Sequence, residues 1–439
     1  MFFARRLAAR FGARAACGLA ATATATVAAC HGGDGGGRLE RLEAQVASLA
    51  QQLAAQHDVQ QTTGQGDAVF SWDRDKTACF PDDAKPFEKE MHGAFTEDVE
   101  TGVVYTGIPG YGLCAISPDL TKWARLGVDE RLKGNIHGLV CFKHGGETLL
   151  ALAQNDDSRV LICGLDGRVR QQLSQPKGGE FDFGEANAYY SDTPIVNMPP
   201  YPAPPHAPRF ACTDVTYLNG RLYVVTGYCE GDFCLTATEK DGKWAWGPTA
   251  WGGKGAERGR FSTAHGVFAH DGHIFVANRE AHQVLEFTPE GSLVRAMPDL
   301  PHNARICNVA YAGDHKYFVM NALEPIRHTP AKTAPIYAHS GERLLSTIEP
   351  GELGIPVLKH LHNVWPHYVV EADGKRRLYL LVHGWSAGKY AVLKHEPDGA
   401  PSVPRGWRYS IGRRMGSSRR GRRSESPNFP ITPAACGDS

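Results

Sequence analysis

Residues 264–291, AHGVFAHDGHIFVANREAHQVLEFTPEG, hold two short apolar runs, GVFA and HIFVA, around an Asp-Gly turn. A third run, QVLEF, follows and closes on Pro-Glu-Gly. Val, Ile, Phe and Leu alternating between such turns form antiparallel strands rather than helices. Variants of the unit recur along the chain. A unit of this size cannot bury its own faces, so its repetition implies a stacked or circular array.

Six units are legible. The first spans about 92–127, with VVYTG and GLCAIS as strands, and the second begins at His137 (HGLVCF, ETLLALA, RVLICGLDG). The third begins near Cys212 (CTDVTYLNGRLYVVTGYC, FCLTATEKDG), and the fourth is the unit quoted above. The fifth starts at Cys307 (CNVAYAGDHKYFVM, IYAHSGE) and the sixth near His367 (HYVVEADGKRRLYLLV, YAVLKHEPDG). Units of three or four short strands are the blades of a propeller. The expected fold is therefore all-β, a six-bladed β-propeller over 66–400. The segment AVFSW at 68–72 is placed to pair with the last blade, closing the ring and removing its exposed edges. The 49 glycines and 28 prolines suit such a turn-rich chain.

The flanks read differently. Arg5, Arg6, Arg10 and Arg14 precede an Ala/Thr/Val-rich stretch at 19–29, the layout of an export signal over 1–30. Val27-Ala28-Ala29-Cys30 resembles a lipobox, which would make Cys30 the lipidated first residue of a mature bacterial envelope protein anchored to the membrane. The alternative is an ordinary cleaved signal. Residues 31–65 combine the spacer HGGDGGG with Leu39, Leu42, Val46, Leu49 and Leu53 at heptad spacing. They are expected to form a short helical tether or a coiled-coil stalk that could pair copies of the chain.

Residues 191–208 contain NMPPYPAPPHAP, expected as a long loop. Residues 401–439 form an Arg-rich, then Pro-rich tail read as disordered. With 47 basic and 47 acidic residues the chain has no net charge, and no nucleic-acid partner is expected. Setting aside Cys17 and Cys30 leaves nine of the 11 cysteines, an odd number in an oxidising compartment.

Equivalent positions on different blades converge at the axis of a propeller. His137, His265 and His367 each stand at the start of a unit's first strand, in units two, four and six, with His362 competing for the last place. Separations of 128 and 102 residues correspond to two blades each. Three imidazoles on alternate blades form a threefold set with a fourth position open. That is the ligand arrangement of a catalytic zinc or another divalent transition metal.

Together these units resemble NHL repeats and, more narrowly, the lyase domain of peptidylglycine alpha-amidating enzymes, over roughly 92–397. That resemblance implies a six-bladed propeller, a three-histidine metal site, and cleavage of an α-hydroxyglycine-like peptide end to glyoxylate and an amide. His137-Gly138-Leu139 is similar to the family's first metal histidine and a leucine whose carbonyl faces a structural calcium. Cys212-Thr213-Asp214-Val215 with Gly227-Tyr228-Cys229 is similar to a bridged cysteine pair beside the catalytic tyrosine. The pairing Cys229–Cys234 remains a rival. His265 with Asn278-Arg279-Glu280 is similar to the second histidine and a carboxylate-binding arginine. The roles implied are general base for Tyr228 and substrate clamp for Arg279. Their alternatives are a rim aromatic and an ion pair with Glu280. The family's first-blade arginine has no counterpart in VVYTGIPG, and Tyr368 after His367 (or Asn363 after His362) replaces a calcium-binding aspartate. A non-catalytic propeller that binds an envelope protein is the competing expectation.

Overall fold

The computed structural model describes residues 61–176, 210–228, 232–323, 334–355, 358, 360–385 and 388–396. The export signal, Cys30, the stalk (except its last residues, from 61), the loop at 191–208, Cys229 and the tail lie outside these residues. Six antiparallel sheets follow one another along the chain. Their first strands are Phe95–Glu97, Ile136–His144, Cys212–Leu218, Ala264–His270, Ile306–Ala312 and Leu361–Val370, belonging to blades 1 to 6. Each first strand touches the first strands on either side, and blade 6 touches blade 1, so they line one closed axis. This is the six-bladed propeller expected from the repeats.

Closure occurs where AVFSW predicts it. Ala68–Asp73 pairs with Lys389–His395, aligning Phe70 with His395 and Trp72 with Leu393. A further strand, Thr62–Gln65, pairs outside it and makes blade 6 five-stranded. The Thr63 hydroxyl donates to Glu352 Oε2 at 2.8 Å, tying that edge to the neighbouring blade. No helix among the described residues is long and apolar enough to cross a membrane.

Buried hydrophobic side chains fall into one cluster for each gap between adjacent blades. The run LYLLV in blade 6 shows why the strands read as nearly continuous apolar stretches. Leu378, Leu380 and Val382 face blade 5, while Tyr379 and Leu381 face blade 1. Side chains alternate faces with period two, and here both faces are covered.

The first strands share an irregularity that places the chemistry. In blades 2 to 6 the pairing of first and second strands slips by one residue at His137, Thr213, His265, Cys307 and His362. A bulge leaves one residue unpaired and re-aims its side chain. The next residue then reaches the neighbouring blade. Asp214 Oδ2 accepts from the Val267 amide at 2.9 Å, Asn308 Nδ2 donates to the Val364 carbonyl at 3.0 Å, and Asn363 Oδ1 accepts from the Phe95 amide at 3.4 Å.

Burial raises the Asp214 carboxyl to about 7, against the opposing pull of the Val267 and Val215 amides. A carboxyl that binds its proton more tightly when folded contributes stability that is complete below about pH 4 and lost as pH rises to about 7. The difference from the ordinary value of 3.8 corresponds to at most about 4 kcal/mol. Asp214→Asn removes this dependence. The stability gap between wild type and variant, measured by denaturant unfolding, should therefore change between pH 4 and 7 and stay constant above. A gap that is flat throughout would show that Asp214 is ionised in the fold.

Candidate metal centre

Three of the five bulged residues are histidines, on alternate blades. The ring centroids of His137, His265 and His362 lie 4.6–4.8 Å apart, a nearly equilateral triangle on the axis. All three are buried. His137 Nδ1 meets the Thr213 carbonyl at 2.5 Å, and His265 Nδ1 meets the Cys307 carbonyl at 2.9 Å. A carbonyl only accepts, so each Nδ1 carries the proton and each Nε2 carries a lone pair. Those two Nε2 atoms, and both ring nitrogens of His362, have no protein partner. Burial holds all three imidazoles well below their ordinary range, helped by neighbouring imidazoles and, for His137 and His265, by Arg279.

Buried lone pairs with no donor are costly, and a backbone carbonyl on the far nitrogen is the usual support of a metal-bound histidine. The donor set therefore fits a divalent transition metal. Tetrahedral zinc, with bonds of about 2.0–2.1 Å, requires nitrogens about 3.4 Å apart.

His367 does not join them. It lies five residues beyond His362, about 16 Å further along an extended strand. Its Nδ1 sits 3.0 Å from Glu97 Oε2 and its Nε2 2.7 Å from the Pro118 carbonyl, so it ties blade 6 to blade 1. The structure does not bring His367 to the cluster; the place expected of it is taken by His362, its rival. The bulge decides the matter, and its signature was present in the sequence: an apolar residue, the histidine, a Gly or Asn, then an aliphatic residue. Ile136-His137-Gly138-Leu139, Ala264-His265-Gly266-Val267 and Leu361-His362-Asn363-Val364 share it, whereas Pro366-His367-Tyr368 does not.

A fourth histidine was missed altogether. His92 stands three residues before blade 1's first strand, with its ring 4.7 Å from His137 and 4.1 Å from His362. Ligand atoms of His92, His137 and His362 lie within 4.8 Å of one another, a group to which His265 does not belong, although its ring stands 4.8 Å from those of His137 and His362. Met91-His92-Gly93-Ala94 carries the same sequence signature, displaced from the bulge.

Tyr228 and Arg279 lie beside the triangle. Tyr228 follows the second strand of blade 3 (Arg221–Thr226) at φ 62°, a left-handed conformation unusual for a bulky residue. Its ring centroid is 6.1 Å from His137 and 5.9 Å from His265. Arg279 directly follows the second strand of blade 4 (His273–Asn278) and donates from Nη1 to the Tyr228 hydroxyl at 2.7 Å. It also donates from Nε to Glu280 Oε1 at 2.8 Å, the ion pair foreseen as its alternative role, and Arg305 shares that oxygen. Burial alone would raise Glu280, but Arg279 and Arg305 together hold it below its ordinary value. Burial pushes the Tyr228 phenol to about 12, with Arg279 pulling the other way. Cys212 is buried at the start of blade 3, as is Cys234 on its third strand (Phe233–Lys240). Whether either pairs with Cys229 falls outside the described residues.

A small pocket among the first strands is lined by Leu139, Val215, Val267, Phe268 and Trp365, with Asp214 and Asn308 as polar members.

No protein-family model and no curated protein matches the sequence. Among solved structures, the chain is similar to the WD40 β-propeller domain of Doa1, at 12% identity and a TM-score of 0.40, covering 77% of this chain and 94% of that one. It is also similar to BBS1N in its complex with ARL6DN, at 9% identity and a TM-score of 0.38, covering 68% and 77%.

Proposed function

We propose that this chain is an exported, lipid-anchored propeller enzyme of the bacterial cell envelope, holding one divalent transition metal on His137, His265 and His362. On this reading its substrate is a small carboxylate or peptide end of the α-hydroxyglycine type. The observation that carries the metal is the set of unpartnered ring nitrogens on buried imidazoles from alternate blades, with ring centroids 4.6–4.8 Å apart. The resemblance to NHL-type amidating lyases supplies the reaction class.

A bound divalent ion there supplies Lewis-acid polarisation of a hydroxyl and a carboxylate oxygen. Arg279 binds the carboxylate with its planar fork, as guanidinium groups do. Tyr228, as the phenolate, takes the substrate's hydroxyl proton. The O–H electrons form the new C=O bond, the C–N bond breaks, and the nitrogen receives that proton back from Tyr228, releasing glyoxylate and an amide. At about 12 the phenol is protonated at neutral pH, so the reaction needs more positive charge beside it than Arg279 provides.

Elemental analysis of the purified protein, without affinity-tag histidines, tests the first claim, with about one metal per chain expected. Glyoxylate release from α-hydroxyglycine peptides tests the second. Tyr228→Phe is expected to reduce it by about a hundredfold or more while leaving metal content unchanged. Metal without glyoxylate release would favour the second reading, a binding propeller with a structural ion. The largely apolar pocket among the first strands supports that alternative.

A further inference from the structure

We propose that His92 is the fourth ligand of this centre, so that in the resting protein the metal is held by four histidines with no open position. The inference rests on the metal-centre reading and not on the lyase reading.

Three observations converge on His92. Its ligand atom already lies within 4.8 Å of those of His137 and His362, and its ring is nearer to His362 than any other ring of the cluster. It is held in place from two sides. Trp385 stacks on it with centroids 4.9 Å apart and planes 24° apart, and Asn135 Nδ2 sits 3.0 Å from its Nδ1. The remaining nitrogen, Nε2, is the one offered to the cluster.

Asn135 supplies the chemistry that a ligand imidazole needs. Its Oδ1 is buried without a partner. A half-turn of the amide puts Oδ1 against His92 Nδ1, which then donates its proton and leaves Nε2 as a lone pair. Asn135 thereby does for His92 what the Thr213 and Cys307 carbonyls do for His137 and His265. The segment carrying His92 is anchored from blade 6, where the Gly388 amide donates to the Lys89 carbonyl at 3.1 Å and Met91 is fully buried. Three ligands come from the barrel of first strands and the fourth from the segment that enters it. A tetrahedral set of four protein ligands is the arrangement of a closed site, whereas a catalytic ion keeps one position for water or substrate. Any substrate that reaches the ion must displace His92.

Cobalt(II) loading of the full chain tests this, read by the visible d–d spectrum and by chelator competition. The wild type is expected to give a tetrahedral spectrum unaffected by azide. Asn135→Ala should weaken cobalt binding by about ten- to a hundredfold, the usual effect of removing a ligand's supporting hydrogen bond. His92→Ala should weaken it at least as much and make the spectrum respond to azide, which takes the vacated position. Unchanged affinity in His92→Ala, or an azide-sensitive wild-type spectrum, overturns the four-histidine centre while leaving the three-histidine one. A wild type that takes up no cobalt overturns both.

Discussion

Replacing His362 by alanine is expected to abolish metal uptake, whereas replacing His367 by alanine leaves it intact. His362 contributes one vertex of the triangle with His137 and His265, and neither of its ring nitrogens has a protein partner. His367 has both nitrogens engaged, at Glu97 and the Pro118 carbonyl. Its loss removes a hydrogen-bonded tie between blades 6 and 1, at a cost of about 1 kcal/mol in stability. Elemental analysis gives the stoichiometry, and thermal unfolding with and without zinc gives the coupling. An ion present at about a thousandfold its Kd stabilises the fold by about 4 kcal/mol. Zinc should therefore raise the wild-type and His367→Ala transitions and not that of His362→Ala. Equal zinc response in all three proteins would sink the assignment. Acid acts in the opposite sense to zinc. The three imidazoles are held neutral in the fold, so their contribution is complete above about pH 6.5 and falls away below it, as the unfolded chain takes up protons.

Gly138→Ala should destabilise the propeller by about 3 kcal/mol or more, as overpacking against backbone does, and weaken metal binding with it. A Cβ at Gly138 would stand 2.4 Å from the Asp214 Cα and 2.2 Å from its Oδ1, far inside contact distance. The Asp214 Cα cannot rotate away as a side chain can, so blades 2 and 3 must separate where His137 reaches the Thr213 carbonyl. Gly266→Ala meets the Cys307 carbonyl at 2.5 Å and should behave alike, because that carbonyl orients His265. Gly272→Ala serves as the control. It lies in the Asp-Gly turn with no atom within 4 Å of the added methyl, although its φ of 77° still carries a small penalty. Denaturant midpoints for the three variants decide the matter, and a Gly138→Ala protein as stable as Gly272→Ala would refute the packing argument.

The glycine after each of these two histidines is part of the ligand signature for this reason. Asp214 and Asn308 stand at the equivalent positions of blades 3 and 5 and need the space that Gly138 and Gly266 leave. The alternation of His-Gly with Thr-Asp and Cys-Asn is thus a packing pattern between blades, and it was legible in the residues before any geometry. Leu361-His362-Asn363-Val364 departs from it with Asn in place of Gly, and only the bulge at His362 shows that it belongs with the other two. Counting strand starts alone left the two five residues apart on one strand with no means of choosing.

What the sequence alone determined is the architecture. Alternating apolar residues between turn dipeptides at regular intervals can bury both faces only by stacking, and AVFSW had no partner except the last blade. Those are local rules, obeyed by the strands one at a time. Only the tertiary structure decided which histidines meet, because that depends on a one-residue slip in the pairing of each first strand with its second. It also brought in His92 from before blade 1, and joined Tyr228 of blade 3 to Arg279 of blade 4 at 2.7 Å. Contacts between blades are set by the closure of the ring, and no window of sequence shorter than the whole circle contains that closure.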